Sequence, residues 1–590
     1  MKHLKKVLAL VIAMVMVMAM GATVFAEGED TPVPTAAPAY DHPLKVTGLA
    51  KDDQAHFYQV LEWVGEADGN VAGWKAKDPF DSVLTKEELT KMLVGTPASE
   101  GVEAVAATGM TAELAGKLAR AAVGDGTVVK VTGTEAELNN PAAGMYMALI
   151  TPADADTVYN PVFVSADFDK SKGDSTAITS GYADEAAAKK STLELTKTAE
   201  TTEDNWDDKK SNTTAVGDTV TFTVNTTIPA YGTVYEHPHF VMKDTLTALK
   251  LNKDSVTVKD LNKGEDYTVD ATDSGYTITF TENFLKKQAA PLPIEVTYSA
   301  IVTSDASKAV NEEDNEVSIE YSHNPNDEDD YDVKKDTTQH YTFSLDAEGV
   351  GEGETVSGKK TSELVKIGVD AQGNPITQTE ETSEITNTEK WKGSLEGAVF
   401  GLFTDEAGTV PYKAKKADGT EGDAVTATTG SDGRMNFKGL DAGTYYLKEI
   451  SAPAGYVTSS TVTKVEIKAE FDTVKVTEWW NGSKFVSTKP TSGTAKEVTY
   501  ETEILKKYEV IVGGVQTATY TFTNKKETNS TDIQWENAEL VEKPYKFENK
   551  KGAELPSTGG VGTTMFYIIG SILVLGAGIL LVTRRRMSVQ

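Results

Sequence analysis

Apolar and polar residues alternate with a period of two along much of the middle of the chain. The pattern is clearest at residues 220–224, 276–280 and 294–298, where valine, isoleucine, phenylalanine or tyrosine are separated by threonine or another polar residue. Alternation of this kind buries one face of each strand and exposes the other, as in antiparallel β-sheets. Residues 190–337 are therefore predicted to form a β-sandwich with an apolar interior.

The preceding residues, 40–188, combine short strand patterns with two helix patterns. Thr85 and Glu88 form a capping box at the start of one predicted helix, and residues 111–123 carry two leucines one turn apart among alanines. Strand patterns precede these helices and resume at residues 144–149. This part of the chain is predicted to be a β-sandwich that carries a helical insertion.

The region 339–554 again shows strand patterns, but it is longer than one sandwich requires. The excess lies between Phe471 and Pro544, where the pattern predicts an insertion without indicating its role. The chain is thus predicted to be mainly β, with about three tandem immunoglobulin-like β-sandwich domains.

Both ends of the chain carry apolar segments typical of export and membrane retention. Lysines precede an apolar stretch at residues 7–20 and small residues end it, so residues 1–26 are predicted to be a signal peptide. Residues 27–39 are rich in proline, threonine and acidic residues and are predicted to be a disordered leader. The apolar run 565–582, followed by three arginines, predicts a transmembrane helix with a cytoplasmic tail. The mature protein should therefore lie outside the membrane.

Composition narrows the functional classes. The formal net charge is −32, which argues against nucleic acid or an anionic membrane as a partner. The chain has no cysteine, and therefore no disulfide, thiolate metal site or cysteine nucleophile. Its seven histidines are scattered, and the acidic run at residues 327–330 lacks EF-hand spacing, so we expect no metal site or cofactor and interpret the run as a solvated linker. The sequence has no GxSxG or HExxH motif, and an enzyme acting on an external substrate is not expected.

Three polar residues of complementary chemistry share the apolar face of predicted strands. We expect Lys197, Asp244 and Asn315 to lie on the first, a middle and the last strand of the middle sandwich. Burial disfavours the charged forms of the lysine and the aspartate. A neutral amine is a nucleophile, and a protonated carboxyl can donate a hydrogen bond to an amide oxygen. The pattern therefore predicts a self-formed Lys197–Asn315 isopeptide bond with loss of ammonia, and a plain buried or rim salt bridge is the alternative.

A short motif precedes the C-terminal apolar run and resembles the LPxTG sorting signal of Gram-positive surface proteins. The motif consists of Leu555, Pro556, Ser557, Thr558 and Gly559. The resemblance implies that sortase, a cysteine transpeptidase, cuts between Thr558 and Gly559. It also implies that the new Thr558 carboxyl is joined to an amine on the cell wall peptidoglycan or on another pilin subunit.

The middle region is also similar to the isopeptide-forming middle domain of Gram-positive major pilins. This resemblance implies that Lys197 is the nucleophile, Asp244 the isopeptide-promoting acid and Asn315 the acceptor, with Asn311 as a reserve acceptor. The matching stretches lie at residues 216–222, 243–246 and 315–325.

The last third of the chain contains the most specific internal motif. Residues 445–456 read YYLKEISAPAGY and closely match the pilin E-box, YxLxExxAPxGY, of the prealbumin-like, collagen-binding-protein B-type domain. The resemblance implies Lys366 as nucleophile, Glu449 as proton-shuttling acid and an asparagine of the final strand as acceptor. We favour Asn549, which lies in step with two aromatic residues just before the sorting signal. Asn524 would close a loop nearer to the family's length and remains an alternative.

Together these resemblances imply the shaft subunit of a sortase-assembled pilus that is secreted, polymerised and anchored to a Gram-positive cell wall. Family members usually carry an acceptor lysine in a Tyr-Pro-Lys motif at the end of the first domain. This chain lacks that motif, and Lys189 or Lys190 is the candidate at the equivalent point, unless both are ordinary solvated lysines. The alternative function is a monomeric wall-anchored adhesin for a host protein or glycan, a surface ligand that no sequence feature identifies.

Overall fold

The structure is a computed structural model, and its described part is mainly β, with strands in several sheets around separate hydrophobic cores. Residues 1–41 and most of 553–590 lie outside the described residues, including the predicted signal peptide, the sorting motif and nearly all of the C-terminal apolar run. Within the described residues, no helix is both long and apolar enough to span a bilayer. The structure describes residues 42–552, except 66–69, 72, 96–104, 167–183, 202–208, 308–312, 346–363, 377–392, 417, 492–494, 524–533, 536–538 and 541–544, together with four positions between 571 and 577.

The N-terminal part contains three sheets and the two predicted helices. Strands β3, β2, β6 and β8 form one sheet with β4 beside β2, strands β5, β1 and β9 form another, and β7 pairs with β10. The hydroxyls of Thr85 and Thr111 accept hydrogen bonds from backbone amides of the first turns, so both helices begin at their capping residues. The elements are β1 (Leu44–Thr47), β2 (Gln54–Trp63), β3 (Trp74–Ala76), a 3₁₀ turn (Phe80–Ser82), α1 (Lys86–Leu93), α2 (Ala112–Ala121), β4 (Thr127–Lys130), β5 (Glu135–Leu138), β6 (Gly144–Thr151), β7 (Thr157–Tyr159), β8 (Val162–Ala166), β9 (Glu185–Ala187) and β10 (Lys190–Thr192).

The middle part is a sandwich of two sheets around one large core. One sheet has the order β11-β13-β19-β15 with β16 beside β19, and the other has the order β12-β21-β20-β14-β18-β17. Burial alternates along β13 and β19 as the sequence predicts. The elements are β11 (Leu195–Thr201), β12 (Ser211–Thr213), β13 (Thr219–Ile228), β14 (Phe240–Leu246), β15 (Leu249–Leu251), a 3₁₀ turn (Lys253–Ser255), β16 (Thr257–Val258), β17 (Tyr267–Thr272), β18 (Gly275–Phe280), α3 (Glu282–Leu285), β19 (Leu292–Val302), a 3₁₀ turn (Ser304–Ser307), β20 (Glu313–Ser322) and β21 (Tyr331–Tyr341).

Two expectations for the middle part were wrong. Asn315 lies on β20, which is followed in the same sheet by β21, so its strand is the last but one. The acidic run at 327–330 is not simply solvated. The Glu328 carboxylate accepts hydrogen bonds from the backbone amides of Glu236 and His237 and from Arg120 of α2. Within the described residues, no group of three or more histidine, aspartate or glutamate side chains is placed to hold a metal ion.

The C-terminal part places a two-stranded parallel sheet, β23 with β36, against a nine-stranded sheet. The large sheet includes β24, β29, β30, β32 and β33, and its apolar face encloses a second core. The strands are β22 (Phe343–Leu345), β23 (Leu364–Val369), β24 (Val399–Phe403), β25 (Lys413–Lys415), β26 (Glu421–Ala424), β27 (Thr426–Thr428), β28 (Phe437–Leu440), β29 (Gly443–Ser451), β30 (Val462–Trp480), β31 (Phe485–Val486), β32 (Lys496–Val512), β33 (Val515–Thr523), β34 (Gln534–Trp535), β35 (Glu539–Leu540) and β36 (Tyr545–Lys550).

The first part of the predicted insertion is a long antiparallel hairpin of β30 and β32. Its far half leaves the C-terminal core and packs along β21 of the middle sandwich. The Lys496 Nζ atom lies 2.8 Å from Asp330 Oδ1. The Thr502 hydroxyl donates a 2.8 Å hydrogen bond to the side-chain oxygen of Gln339. The hairpin therefore joins the middle and C-terminal parts by side-chain contacts as well as by the connecting chain.

Candidate cross-linking sites

The structure brings together the three residues that strand parity selected in the middle sandwich. Lys197 on β11 comes from one sheet, while Asp244 on β14 and Asn315 on β20 come from the facing sheet. The Lys197 Nζ atom lies 2.7 Å from Asp244 Oδ2 and 2.7 Å from Asn315 Oδ1. The three residues are 0%, 1% and 1% exposed. Amine, acid and carboxamide therefore meet inside the core, away from the rim.

Burial sets the protonation states that this cluster favours. Desolvation lowers the pKa of the Lys197 amine, although the nearby Asp244 carboxyl opposes the shift. Desolvation likewise raises the pKa of Asp244, against the effect of the lysine. Both shifts favour the neutral pair, a free amine beside a carboxylic acid, which is the pair that an attack on an amide requires.

An aromatic residue that the sequence interpretation missed completes the middle site. Tyr298 on β19 donates a 2.9 Å hydrogen bond to Asp244 Oδ2, and its oxygen accepts a 2.8 Å hydrogen bond from Asn315 Nδ2. Its ring stacks on Phe222 at 4.9 Å, and the Lys197 Nζ atom lies 5.5 Å from both ring centres. The alternation of β19 places Tyr298 in the core, but only the three-dimensional register shows where its hydroxyl lies.

A second cluster in the C-terminal part has the same kinds of group. Lys366 on β23, Glu449 on β29 and Asn549 on β36 are 0%, 3% and 1% exposed. The Lys366 Nζ atom lies 3.1 Å from Glu449 Oε1, and Asn549 Nδ2 donates a 2.7 Å hydrogen bond to Glu449 Oε2. Desolvation lowers the pKa of the Lys366 amine. The glutamate thus contacts the amine and the amide at the same time.

The E-box supplies the local structure that holds this second cluster. The turn after β29 brings the backbone amide of Ser459 to Glu449 Oε2 at 2.6 Å and the carbonyl oxygen of Val457 to Asn549 Nδ2 at 2.6 Å. The ring of Tyr456 lies against Gly368, where a Cβ atom would approach the ring to 2.6 Å. A larger residue than glycine at 368 would therefore displace the tyrosine that ends the motif.

Other sequence-predicted residues fall in different places. Lys189 and Lys190 are both exposed, directly before and within β10. Asn524, Asn311 and the sorting motif lie outside the described residues. Of the two acceptor candidates in the C-terminal part, Asn549 is the one that the structure describes, and it lies in the buried cluster with Lys366.

Comparison with known proteins adds independent information. Residues 381–479 match the family model of the SpaA prealbumin-like fold domain, and residues 548–588 match the LPXTG cell wall anchor motif. The chain is 24% identical over 502 residues to the trypsin-resistant surface T6 protein of Streptococcus pyogenes, covering 76% of this chain and 80% of the relative.

A solved structure with a similar fold is that of a backbone pilin. The T6 backbone pilin of Streptococcus pyogenes, described as a modular three-domain structure, aligns with a TM-score of 0.50 and 17% identity over 88% of this chain and 100% of that one. The major pilin SpaD of Corynebacterium diphtheriae aligns with a TM-score of 0.40 and 17% identity over 72% of this chain and 90% of that one. The prealbumin-like domain, the LPXTG anchor and the extended sequence relation to a T protein together support a sortase-assembled major pilin, a cell wall-anchored structural subunit of a Gram-positive pilus.

Proposed function

We propose that this pilin is the shaft subunit of its pilus, polymerised through its own lysine and braced by two self-formed isopeptide bonds. The observation that carries the proposal is the contact of the Lys197 amine with both Asp244 and the Asn315 amide in a fully buried cluster. The proposed bonds are Lys197–Asn315 and Lys366–Asn549, with Asp244 and Glu449 as the promoting acids. The chain thus acts only on itself and is otherwise a substrate of sortase.

The chemistry of each bond is the same. The neutral lysine amine attacks the asparagine carboxamide carbon, the new C–N bond forms, the old C–N bond breaks, and ammonia leaves. The acid hydrogen-bonds to the reacting groups and moves protons between them. Because the folded core holds the lysine, the acid and the asparagine in one buried cluster, the reaction is effectively intramolecular and needs no cofactor.

The middle bond would close a loop whose ends are 118 residues apart in the sequence. By the chain-entropy relation used for disulfides, a covalent loop of this size contributes about 4 to 5 kcal/mol to stability. Resistance to force and to proteases depends on unfolding rates rather than on this equilibrium value. A chain without cysteine would gain from amide bonds the bracing that other exported proteins obtain from disulfides.

Polymerisation requires an exposed amine for the Thr558 acyl group of the next subunit. Lys189 and Lys190 meet this requirement, because both are exposed at the end of the N-terminal part, where Lys190 pairs with Tyr159 of β7. We place the acceptor at one of these two lysines. The C-terminal apolar run would hold the precursor in the membrane until sortase acts at the motif.

The test is a denaturing gel of cell wall extracts from bacteria that express Lys189→Arg/Lys190→Arg. Arginine keeps the charge but remains protonated and cannot act as the nucleophile. We expect the ladder of polymers to collapse to a single wall-linked species. Lys286→Arg/Lys287→Arg, a second adjacent pair on the surface of the middle part, should keep the ladder. An unchanged ladder in the first variant would refute the acceptor assignment, and a single species in the unmodified protein would favour the monomeric adhesin.

A further inference from the structure

Isopeptide formation requires a proton to travel between two nitrogen atoms. The lysine amine must lose one proton when it becomes an amide nitrogen, and the asparagine nitrogen must gain one to leave as ammonia. In a core that excludes water, side chains must carry that proton, because no bulk solvent is in contact with the reacting atoms. The proton route inferred for the middle site rests on the function proposed above.

In the middle site a continuous set of hydrogen bonds joins the two nitrogens. Lys197 Nζ contacts Asp244 Oδ2 at 2.7 Å, the same oxygen contacts the Tyr298 hydroxyl at 2.9 Å, and that hydroxyl contacts Asn315 Nδ2 at 2.8 Å. Within the described structure, Asp244 makes no direct hydrogen bond to the Asn315 nitrogen, and its second oxygen has no hydrogen-bond partner. We propose that Tyr298 is a catalytic residue of this site and relays the proton from Asp244 to the departing nitrogen of Asn315.

The relay balances in two steps. In the first, Nζ attacks Cγ of Asn315 and the carbonyl π electrons move to Oδ1, which leaves a positive charge on Nζ and a negative charge on Oδ1. In the second, the Tyr298 hydroxyl gives its proton to Nδ2 and takes the acid proton of Asp244, the Asp244 carboxylate takes the extra proton from Nζ through Oδ2, the C–Nδ2 bond breaks, and the carbonyl re-forms. The products are the Lys197–Asn315 amide and ammonia, and both the acid and the phenol return to their starting states.

Two hydrogen bonds must reverse direction during this sequence. Tyr298 donates to Asp244 Oδ2 in the structure and must accept from that acid in the relay, and its hydrogen bond with Asn315 reverses as well. Before attack, the planar amide nitrogen of Asn315 donates to the Tyr298 oxygen. After attack, the same nitrogen is tetrahedral and has a lone pair, so it can accept a proton from the hydroxyl. Tyr298 is fully buried and burial raises its pKa well above the ordinary value, which keeps the hydroxyl protonated and able to donate.

The C-terminal site shows why the middle site needs a relay. Glu449 contacts Lys366 through one oxygen at 3.1 Å and Asn549 Nδ2 through the other at 2.7 Å, so one carboxyl spans both nitrogens. Aspartate is shorter by one methylene, and Asp244 reaches the lysine but contacts the amide nitrogen only through Tyr298. The phenol therefore supplies the reach that the shorter acid lacks.

Tyr276 is another buried phenol beside Asp244, but its contacts differ. Its ring meets Tyr298 edge to face at 5.0 Å, and its hydroxyl donates to the sulfur of Met242. Burial and the nearby Asp244 carboxyl raise the pKa of Tyr276 well above the ordinary value, so in the described structure this phenol interacts with the acid without a hydrogen bond to the amide. Of the two phenols, Tyr298 is the one with a hydrogen bond to Asn315. The relay is therefore assigned to Tyr298.

The experiment measures bond formation in the mature protein, residues 27–558, carrying Tyr298→Phe. Phenylalanine keeps the ring stacked on Phe222 and removes only the hydroxyl. Intact mass against time after synthesis should show the loss of one ammonia from the C-terminal site at the normal rate. Peptide mapping should show the Lys197–Asn315 bond forming at least about 100-fold more slowly, as expected when a proton-transfer group is removed. Formation of that bond at the wild-type rate would overturn the proposal.

Two further variants separate a chemical role from a structural one. Tyr231→Phe removes another fully buried hydroxyl of the same core, which donates to the backbone oxygens of His239 and Ser322, and it should leave the bond-forming rate unchanged. The double variant Asp244→Glu/Tyr298→Phe lengthens the acid to the length found in the C-terminal site. It should form the Lys197–Asn315 bond at least tenfold faster than Tyr298→Phe alone. A double variant as slow as Tyr298→Phe alone would contradict the argument from reach.

Failure of the Tyr298 relay can be distinguished from failure of the proposed Lys197–Asn315 cross-link. If the unmodified protein forms no Lys197–Asn315 bond, the proposed bond itself is wrong and the relay falls with it. If the unmodified protein forms the bond and Tyr298→Phe forms it equally fast, only the relay is wrong.

Discussion

Asn315 on β20 lies directly opposite Thr338 on β21. Because β21 follows the proposed cross-link in the chain, residues 316–341 lie outside the covalent loop that begins at Lys197. Tension on the termini of the middle part would therefore pass from Asn315 through these residues to the C-terminal part. The two strands would separate from their open end, where hydrogen bonds break one after another.

The long hairpin offers a second path for that tension. Glu503 on β32 accepts hydrogen bonds from the backbone amides of Lys210 and Ser211, at 2.7 and 3.1 Å. Both residues lie within the proposed covalent loop. The hairpin therefore links the C-terminal sheet to the cross-linked part of the middle sandwich without relying on β21.

The first prediction concerns Thr502, which is fully buried between the hairpin and β21. Thr502→Val removes its hydrogen bonds with Gln339 and Thr337 and should cost about 1 to 2 kcal/mol in local stability. Hydrogen–deuterium exchange of the peptide containing β21 should become roughly tenfold faster. Thr499→Val, on the exposed face of the same strand, is the matched control and should leave that exchange unchanged. Equal exchange in both variants would show that the hairpin does not hold β21.

The second prediction concerns the acceptor in the C-terminal part. Asn549→Ala should abolish one of the two ammonia losses, because the amide beside Lys366 and Glu449 is removed. Asn524→Ala should keep both. Mass spectrometry of the two purified variants decides between them, and the opposite pattern would transfer the assignment to Asn524.

The third prediction concerns pH. His340 on β21 is fully buried, and burial lowers its pKa to about 4. Since an unfolded histidine has a pKa near 6.5, the folded state binds fewer protons between about pH 6.5 and 4, and the stability that neutral His340 contributes is lost as the pH falls through this window. Thermal unfolding at pH 7.5 and 4.5 should show a larger acid loss in the unmodified protein than in His340→Gln.

The cross-strand neighbour of His340 must be considered in that comparison. Glu313 lies opposite it, and burial raises the pKa of the Glu313 carboxyl to about 7. That group stabilises the folded state at low pH and loses its contribution as the pH rises through 7, which is the opposite sign. Both proteins contain Glu313, so the difference between them reports His340. A difference that does not change with pH would contradict the prediction.

Strand parity predicted which side chains meet in the middle site because a period of two fixes the face of every residue. It placed Lys197, Asp244 and Asn315 on inner faces, and all three are buried there. Strand parity gives no distance between the Tyr298 hydroxyl and the Asn315 amide. The sequence therefore predicts only that Tyr298 lies in the core. The E-box allowed the same selection in the C-terminal part, where both faces of the strand around Lys366 are apolar.

The strand β21 was missed for a different reason. Its sequence is mostly polar, and Thr337, Thr338 and Gln339 are each 1% exposed although none is apolar. The hairpin shields part of these side chains from solvent, and its Thr502 is more than 160 positions away in the sequence. Local hydrophobic pattern does not reveal a polar strand whose partners are supplied by a distant segment. The sequence does not reveal the role of the insertion for the same reason, because its hairpin contacts that distant strand.

The measurement that tests the central claim most directly is the intact mass of the mature protein, residues 27–558, followed by peptide mapping. We predict a mass about 34 Da below that of the sequence, which corresponds to two lost ammonia molecules, with cross-linked peptides joining Lys197 to Asn315 and Lys366 to Asn549. A mass equal to that of the sequence would contradict the account, and the two buried lysines would then be ion-pair partners in an uncross-linked pilin.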